Sequence, residues 1–241
     1  MINIENLSKS FGDKLALDNL NLKVKRGEIF GFLGPNGAGK TTTIKMIVGM
    51  LKQDKGHILI DGIDTLKDPI EAKKKFAFVP DNPDVYETMT GRQYLNFIGD
   101  VFEISLDKRE ENIKKYQEIF EMEENLDLLI SSYSHGMKQK IVLMGALIHE
   151  PDLLILDEPM VGLDAKSSFR LKNIMRQLCD SGKSVFFSTH VMEVAEKVCD
   201  RIAIINKGKL IAVGSLEEIK NQADDEGSLE KIFLELTEWE N

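Results

Sequence analysis

The chain has 241 residues, 42% of them hydrophobic and 29% charged, and a formal net charge of −9, as expected of one large or two small soluble domains. Its longest stretch without a charged side chain runs from Ile29 to Gly39, whereas a membrane-spanning helix needs about 20 apolar residues, so none is expected. The acidic balance without a basic stripe predicts no nucleic-acid partner, and Cys179 and Cys199, both in predicted helices, indicate neither a disulfide nor a zinc site.

Residues 2–24 predict an antiparallel hairpin. Apolar and polar residues alternate over 2–7 and again over 15–24, and a turn signal at 10–13 separates the two runs. Phe11 lies at this turn, and two interpretations of it stay open. Its ring either stacks on a nucleotide base or packs into a small satellite core.

A glycine-rich loop, Gly-Pro-Asn-Gly-Ala-Gly-Lys-Thr at 34–41, follows a predicted buried strand, Ile29–Leu33, and precedes a helix. The helix is indicated by apolar residues at helical spacing: Ile44, Ile47, Val48 and Leu51. The spacing of this loop, a glycine followed after four residues by Gly-Lys-Thr, is that of a phosphate-binding loop. In such a loop the backbone N–H groups and the N-terminus of the following helix bind an anion. Lys40 can reach the outer phosphates and the Thr41 hydroxyl can ligate Mg²⁺. The loop therefore predicts binding of a nucleoside triphosphate.

The middle of the chain changes from strands to helices. A strand ending near Asp61, a short helix at 69–75 and a strand at 76–79 come first, and Pro80 and Pro83 then force the chain out of the sheet. Three helices follow. The first begins at a capping box that starts with Thr90, the second begins near Asp107 and the third begins near Ser134. Their predicted apolar faces are Tyr94, Phe97, Ile98 and Val101; Ile113, Tyr116 and Phe120; and Met137, Ile141, Met144, Gly145 and Ile148.

The second half predicts buried parallel strands with polar residues at their ends. The apolar run 153–156 leads into Asp157 and Glu158, and the run 184–188 leads into Thr189 and His190. A helix follows each strand, the first capped by Asp164. A hairpin over 202–213 and an amphipathic tail helix at 228–240 complete the chain.

Ligands of open parallel sheets bind at the carboxyl ends of the strands, so these terminal residues are candidates for chemistry. Asp157 is expected to hold Mg²⁺, and Glu158 to polarise an attacking water as general base. His190 is expected to hydrogen-bond the γ-phosphate, although a lone histidine is more often structural. Simpler interpretations also stay open for others: Asp164 and Ser134 as helix caps, and Asp81 as a turn residue.

These residues, in this order, resemble the ATP-binding subunit of an ABC transporter over nearly the whole chain. Phe11 matches the aromatic residue that stacks on adenine, and residues 34–42 match the Walker A motif. Asp157 and Glu158 match Walker B with its catalytic glutamate. Tyr-Ser-His-Gly-Met at 133–137 matches the family signature. Residues 162–164 match the D-loop, and His190 matches the switch histidine.

The resemblance implies that two subunits pack head to tail around two ATP, so that Ser134 and the Gly136 N–H contact the γ-phosphate bound by the partner. It implies catalytic roles for Glu158, His190 and Lys40. The remaining implied ATP contacts are Phe11, Asn36, Gly37, Ala38, Gly39, Thr41, Thr42 and Asp164, and the implied Mg²⁺ ligands are Thr41, Asp81 and Asp157. Implied partners are a second copy or a paired ATPase subunit, and separately encoded membrane permeases. The subunit would then be cytoplasmic and peripheral on the inner face of the cell membrane.

The resulting fold prediction is α/β: a P-loop NTPase core with a mainly parallel sheet, an N-terminal antiparallel β-subdomain and an inserted all-helical subdomain. Within one ATPase domain, 1–241, residues 1–81 and 150–214 form the core with the β-subdomain. Residues 82–149 form the helical subdomain, and 215–241 form the C-terminal helical tail.

The sequence departs from the family pattern at three places. His135 and Met137 replace the commonest signature residues Gly and Gln, Asp81 replaces the usual Gln, and Ala165 replaces a frequent Pro. The signature variant and the tail Gly-Ser-Leu-Glu-Lys-Ile-Phe resemble exporter-type subunits of the drug, antimicrobial-peptide and polysaccharide branch. A motor for export is thus the first hypothesis. The alternatives are a soluble ATPase of the superfamily acting on ribosomes or DNA, and an importer subunit.

Overall fold

The computed structural model describes residues 1–223 and 229–238, which form two sheets and flanking helices. The strands are β1 Ile2–Phe11, β2 Lys14–Val24, β3 Ile29–Leu33, β4 Lys55–Ile60, β5 Ile63–Asp64, β6 Phe76–Val79, β7 Leu153–Asp157, β8 Ser184–Thr189, β9 Arg201–Asn206 and β10 Lys209–Gly214. The helices are α1 Lys40–Ile47, α2 Pro69–Lys73, α3 Gly91–Val101, α4 Leu106–Phe120, α5 His135–Leu147, α6 Ala165–Asp180, α7 Met192–Val198, α8 Leu216–Ala223 and α9 Leu229–Glu238, with a 3₁₀ turn at Ile130–Ser132.

The larger sheet has six strands in the order β10-β9-β3-β8-β7-β6, all parallel except β10. Every residue of β3, β7 and β8 is buried, because other elements of the chain cover both faces of this sheet. The register pairs Leu33 with Thr189 and Asp157 with Ser188. The carboxyl ends of these three strands therefore meet at one edge, as predicted.

The smaller sheet is antiparallel, in the order β2-β1-β4-β5. The predicted hairpin is confirmed as β1–β2, in which β2 is an edge strand, with Gly12 in the left-handed region at the turn (φ 57°). Phe11 and Lys14 are paired across this turn. This pairing closes the tip of the hairpin.

The helical segment keeps the predicted helices but changes the buried face of α3. The capping box of Thr90 is confirmed, and Tyr94 is buried. Phe97 and Val101, predicted to be buried, are instead 37% and 58% exposed, and Gly99 is buried in their place. Arg109 of α4 lies against Gly99, where an added Cβ would approach its Nε to 2.2 Å. The close crossing of α4 at this glycine sets which face of α3 is covered.

Two large clusters of buried side chains lie on opposite faces of the six-stranded sheet. One joins the helical segment to the sheet, with Tyr116 and Phe120 of α4 in the same cluster as Leu154 and Leu156 of β7. The other joins the smaller sheet and α1 to the opposite face. A third, smaller cluster packs α7, α8 and α9 beside β9 and β10.

Several boundaries differ from the sequence prediction. The helix after the loop ends at Ile47, so Leu51 lies beyond it, because Gly49 turns the chain with φ 74°. Cys179 lies in α6 as predicted, whereas Cys199 follows the end of α7. Both are free thiols.

The described part of the tail contains two helices, and the sequence located only the second of them. Helix α9 lies within the predicted 228–240, of which 228, 239 and 240 lie outside the described residues. Helix α8 lies in the tail that was predicted to be helical, but it was not located separately. Ser215 and Glu218 exchange side-chain-to-backbone hydrogen bonds at its start, at 2.7 and 3.1 Å. The pattern Ser-x-x-Glu would have signalled it. Throughout the part of the chain that the structure describes, no helix is long and apolar enough to cross a membrane.

Candidate nucleotide site

The glycine-rich loop connects the carboxyl end of β3 to the first residue of α1, the predicted strand–loop–helix arrangement. Gly37 and Gly39 have φ of 81° and 112°, which side chains disfavour. Gly39 is also crowded, since an added Cβ would lie 2.9 Å from Leu17 Cδ2 and 3.1 Å from the Ala16 carbonyl. Glycine is required there because the loop rests on β2. The backbone N–H groups at the start of α1 form an anion-binding site.

A pocket of about 550 Å³ opens above this loop. The hairpin tip forms one wall, and Asp81, Glu158 and Lys207 complete it. The lining residues are Phe11, Lys14, Leu15, Ala16, Pro35, Asn36, Gly37, Gly39, Lys40, Thr41, Thr42, Asp81, Glu158 and Lys207. The Phe11 ring is 51% exposed at the pocket mouth, with the Lys9 ammonium 5.6 Å from its centroid. Packing into a satellite core is therefore the wrong interpretation of Phe11.

Ala38 is the one predicted loop contact that does not line the pocket. It is buried, its N–H donates to the Pro35 carbonyl at 3.2 Å, and its carbonyl accepts the Gly208 N–H at 2.9 Å. Any contact from Ala38 to a phosphate would therefore not come from its side chain.

Three charged or titratable side chains converge at one end of the pocket. Lys40 is buried, and its Nζ donates to the Gly34 carbonyl at 2.7 Å and lies 3.3 Å from Glu158 Oε1. The same oxygen is 3.0 Å from His190 Nδ1. The side chains meet because β3, β7 and β8 are adjacent and parallel, so the residues that follow them share one edge. Lys40 and His190 thus both contact Glu158, the third predicted catalytic residue.

Asp157 lies behind this group, buried at the end of β7. Burial raises the pKa of its carboxyl, hydrogen bonds from the Ser188 and Thr41 hydroxyls oppose the rise, and the charge of Asp81 adds to it. Ser188 also accepts the N–H of Glu158 at 3.0 Å. Asp81 is exposed at the exit from β6, where its Oδ1 accepts the neighbouring Asn82 N–H at 2.9 Å.

Sequence reasoning missed several residues of the site. Ser188 was taken only as the end of a strand, yet it contacts both carboxylate residues. Lys14, Leu15, Ala16 and Lys207 line the pocket. The Lys-Gly turn at 207–208 was a signal for a hairpin, but its contact with the loop depends on tertiary packing.

Ser134, Gly136 and Asp164 lie outside this pocket. Ser134 caps α5 by accepting the Met137 N–H at 3.3 Å. Asp164 caps α6 by accepting from the Ser167 N–H at 2.8 Å and the Ser167 hydroxyl at 2.7 Å, and these bonds hold the pKa of its carboxyl well below the ordinary value.

The two caps belong to segments that touch each other. An added Cβ on Gly136 would lie 3.0 Å from the Gly162 carbonyl, and one on Gly162 would lie 2.5 Å from His135 Cδ2. Lys140 Nζ is 3.4 Å from Asp164 Oδ2. The predicted signature and D-loop are therefore packed together within one chain.

The phosphate loop between strand and helix, with paired carboxylates after the neighbouring parallel strand, defines a P-loop nucleoside triphosphatase. Residues 17–161 match the family model described as ABC transporter. The chain belongs to the ABC transporter family, as an ATP-binding subunit that hydrolyses ATP.

Relatives and solved structures agree with this assignment. The chain is 37% identical over 219 residues to the linearmycin resistance ATP-binding protein LnrL of Bacillus subtilis (strain 168), covering 91% of this chain and 70% of that protein. It is 36% identical over 224 residues to the SkfA peptide export ATP-binding protein SkfE of the same organism, covering 93% of each.

Among solved structures, an ATP-binding subunit of an ABC transporter superposes with a TM-score of 0.95 at 32% identity, covering 98% of this chain and 99% of the other. A second is a dimeric ATP-binding cassette, MJ0796, in a post-hydrolysis state with ADP and phosphate. It superposes with a TM-score of 0.81 at 26% identity, covering 90% and 99%.

Proposed function

We propose that this subunit drives export by closing on a second ATPase subunit around two ATP and reopening after hydrolysis. The observation that carries the proposal is the contact of one carboxylate, that of Glu158, with both Lys40 and His190 at the end of the pocket. Such a cluster suits phosphoryl transfer, in which the protein mainly positions groups and balances charge.

The nucleotide contacts follow from the pocket lining, except that of Ala38, which follows from its place in the loop. Phe11 stacks on the adenine, and the loop N–H groups and Lys40 hold the phosphates. The loop contacts are those of Asn36, Gly37, Ala38, Gly39, Lys40, Thr41 and Thr42. Glu158 takes the proton of the attacking water, and His190 donates a hydrogen bond to the γ-phosphate. Contact with both neighbours keeps the Glu158 carboxylate directed at the pocket.

Thr41, Asp157 and Asp81 are the proposed Mg²⁺ residues, with Asp81 acting through water because its side chain is short. Hydroxyl and carboxylate oxygens are the donors that Mg²⁺ prefers, and it is usually held by one or two carboxylates together with substrate phosphates. The desolvated carboxyl of Asp157 would be stabilised by a cation. Over residues 1–223 and 229–238, no cluster of three or more His, Cys, Asp and Glu forms an all-protein metal cage, in keeping with this mode. When bound, Mg²⁺ compensates negative charge on the phosphates.

The proposed pairing is head to tail, with Ser134, the Gly136 N–H and Asp164 of one chain completing the pocket of the other. Support comes from their location outside the pocket of their own chain and from the dimeric cassettes among the similar structures. Ser134 lies at the N-terminus of α5, where N–H groups and the helix dipole favour a phosphate. The partner is a second copy or a paired ATPase subunit.

The proposed membrane partner is a separately encoded permease, which would hold this subunit at the inner face of the cell membrane. The relatives that are named for drug resistance and peptide export support export over import. Purification from detergent-solubilised membranes tests this proposal. Recovery of a polytopic membrane protein is expected, whereas recovery of ribosomes or DNA without one would favour the alternative ATPase.

Glu158→Gln tests the catalytic assignment. The amide keeps the shape of the side chain but cannot accept a proton, so kcat should fall about 10²- to 10⁴-fold while ATP binding is retained. Light scattering with ATP should then detect a long-lived dimer. Glu150→Gln is the matched control, because Glu150 is another glutamate whose backbone is in the left-handed region (φ 54°), and it lies outside the pocket. Wild-type hydrolysis by Glu158→Gln would exclude Glu158 as the base.

A further inference from the structure

Ser188 is a fully buried hydroxyl on β8 that contacts both carboxylate residues of the site. It lies directly opposite Asp157 in the parallel pairing of β7 and β8. Its Oγ donates a hydrogen bond to Asp157 Oδ1 and accepts one from the Glu158 N–H at 3.0 Å. One hydroxyl therefore joins the side chain of one residue to the backbone of the next.

The bond to Glu158 acts on a backbone conformation that is uncommon for a residue with a side chain. Glu158 has φ 48°, in the left-handed region. This conformation turns the chain out of the line of β7 and directs the carboxylate at the pocket, where Oε1 reaches His190 at 3.0 Å and Lys40 at 3.3 Å. The hydrogen bond from its N–H to Ser188 holds the backbone at that point.

The hydrogen bond to Asp157 is made to a carboxylate that is buried away from solvent. A buried charged group needs hydrogen-bond partners, and Ser188 supplies one from the adjacent strand. Because both residues are in buried strands with fixed register, the donor direction is fixed as well. Ser188 thereby sets which way the Asp157 carboxylate faces.

We infer that Ser188 is a positioning residue for ATP hydrolysis, acting on Asp157 and Glu158 together without touching the nucleotide. The inference rests on the proposed roles of those two residues. It differs from a role in folding alone, because the hydroxyl is directed at the two residues that are proposed to do the chemistry.

Ser188→Ala removes the hydroxyl, and Ser188→Thr keeps it on a residue type that suits a strand. Ser184→Ala is the matched control, since Ser184 is a buried serine on the same strand whose hydroxyl also accepts one hydrogen bond and donates another. Its Oγ accepts from the Gly27 N–H at 3.1 Å and donates to the Lys25 carbonyl at 3.3 Å, at the opposite end of β8. Both alanine variants should lower Tm.

The expected kinetic result is a fall in kcat of about 10- to 100-fold for Ser188→Ala, with KM for ATP changed less than about threefold. Ser188→Thr should recover kcat to within about threefold of wild type, and Ser184→Ala should stay within about twofold. In a Glu158→Gln background, Ser188→Ala should lower kcat by no more than about threefold further, because residues that act as a unit are not additive.

A crystal structure of Ser188→Ala gives a readout that does not depend on activity. We expect Glu158 to leave the left-handed region and its carboxylate to move out of contact with His190. Wild-type kcat, an unchanged Glu158 conformation, or a folded Ser188→Thr as slow as the alanine variant would each overturn the inference. An inactive Glu158→Gln beside a normal Ser188→Ala would overturn only this inference, whereas an active Glu158→Gln would overturn the proposed base itself.

Discussion

Phe11 presents an aromatic ring at the pocket mouth with half of its surface exposed. Exposed single apolar residues contribute little to folding stability, so the consequence of this placement should be found in binding. An aromatic contact of this kind is worth about 0.5–1.5 kcal/mol beyond the area it buries.

Phe11→Ala should therefore weaken ATP binding by about 2- to 12-fold, leave kcat unchanged and leave Tm within about 2 °C of wild type. Fluorescence titration measures the affinity. Phe11→Tyr should bind as wild type, and Phe97→Ala, which removes an exposed ring outside the pocket, is the control. Inorganic tripolyphosphate should compete equally in all variants, since it has no base; a loss of its binding by Phe11→Ala would contradict stacking.

Among single residues, the sequence predicted those site residues that lie in a recognisable motif or at the end of a predicted strand. Lys40, Glu158 and His190 could be predicted to meet because parallel strands end at one edge. Ser188 could not be predicted, because a serine inside a buried strand has no signature until the register places it opposite Asp157. Phe11 stayed ambiguous because exposure depends on how the hairpin packs.

Among the elements, the turn between β9 and β10 supports the wall of the pocket. Gly208 has φ 80°, its N–H donates to the Ala38 carbonyl at 2.9 Å, and its carbonyl accepts the Asp18 N–H at 3.0 Å. An added Cβ would lie 2.5 Å from the Ala16 carbonyl. Because that neighbour is backbone, it cannot yield as a flexible side chain would.

Gly208→Ala should be more destabilising than Gly182→Ala, whose φ of 84° is similar but whose Cβ would meet nothing within 4 Å. Each change should lower the free energy of unfolding by about 1–2 kcal/mol, because alanine is strained in the left-handed region. Gly208→Ala should lower it by about 1–3 kcal/mol more through overpacking. Thermal denaturation measures the difference. Only Gly208→Ala should also raise KM for ATP, since it separates β2 from the loop; equal Tm losses with equal KM values would refute this account.

Helix α3 could be predicted from the sequence in its start but not in its buried face. Its start was readable from the capping box at Thr90, because that signal is local. Its buried face was not, because the crossing of α4 over Gly99 decides it. Phe97 instead meets Tyr86 edge-on at the surface, with ring centroids 5.7 Å apart.

For the whole molecule, the parallel sheet, the antiparallel sheet and the inserted helices were all predictable, since each rests on a pattern that recurs along many residues. The division of the chain at 81, 149 and 214 stays a prediction. The proposed pairing also lies at this scale, because it assigns each pocket to two chains.

Mixing two inactive variants tests the pairing. Lys40→Ala disables the pocket of its own chain, and Ser134→Arg disables the surface offered to the partner. In an equal mixture about half of the dimers contain one chain of each variant. Each of these mixed dimers has one intact ATP site out of two, so about a quarter of the wild-type ATPase activity should return. Lys40→Ala mixed with Glu158→Gln is the control, because both changes affect the same half-site and should restore nothing. Failure of the first mixture to exceed its separate components would contradict shared sites.

The buried cluster that joins the helical segment to the sheet also bears on how such subunits can be recombined. Tyr116 and Phe120 belong to the same buried cluster as residues of other helices and as Leu154 and Leu156 of β7. Each Å² of this apolar surface left uncovered costs about 25 cal/mol, and ill-fitting replacements add strain. A chimera that imports residues 82–149 from another subunit would therefore need the matching strand residues as well, since imported helices would otherwise leave this interior uncovered or strained.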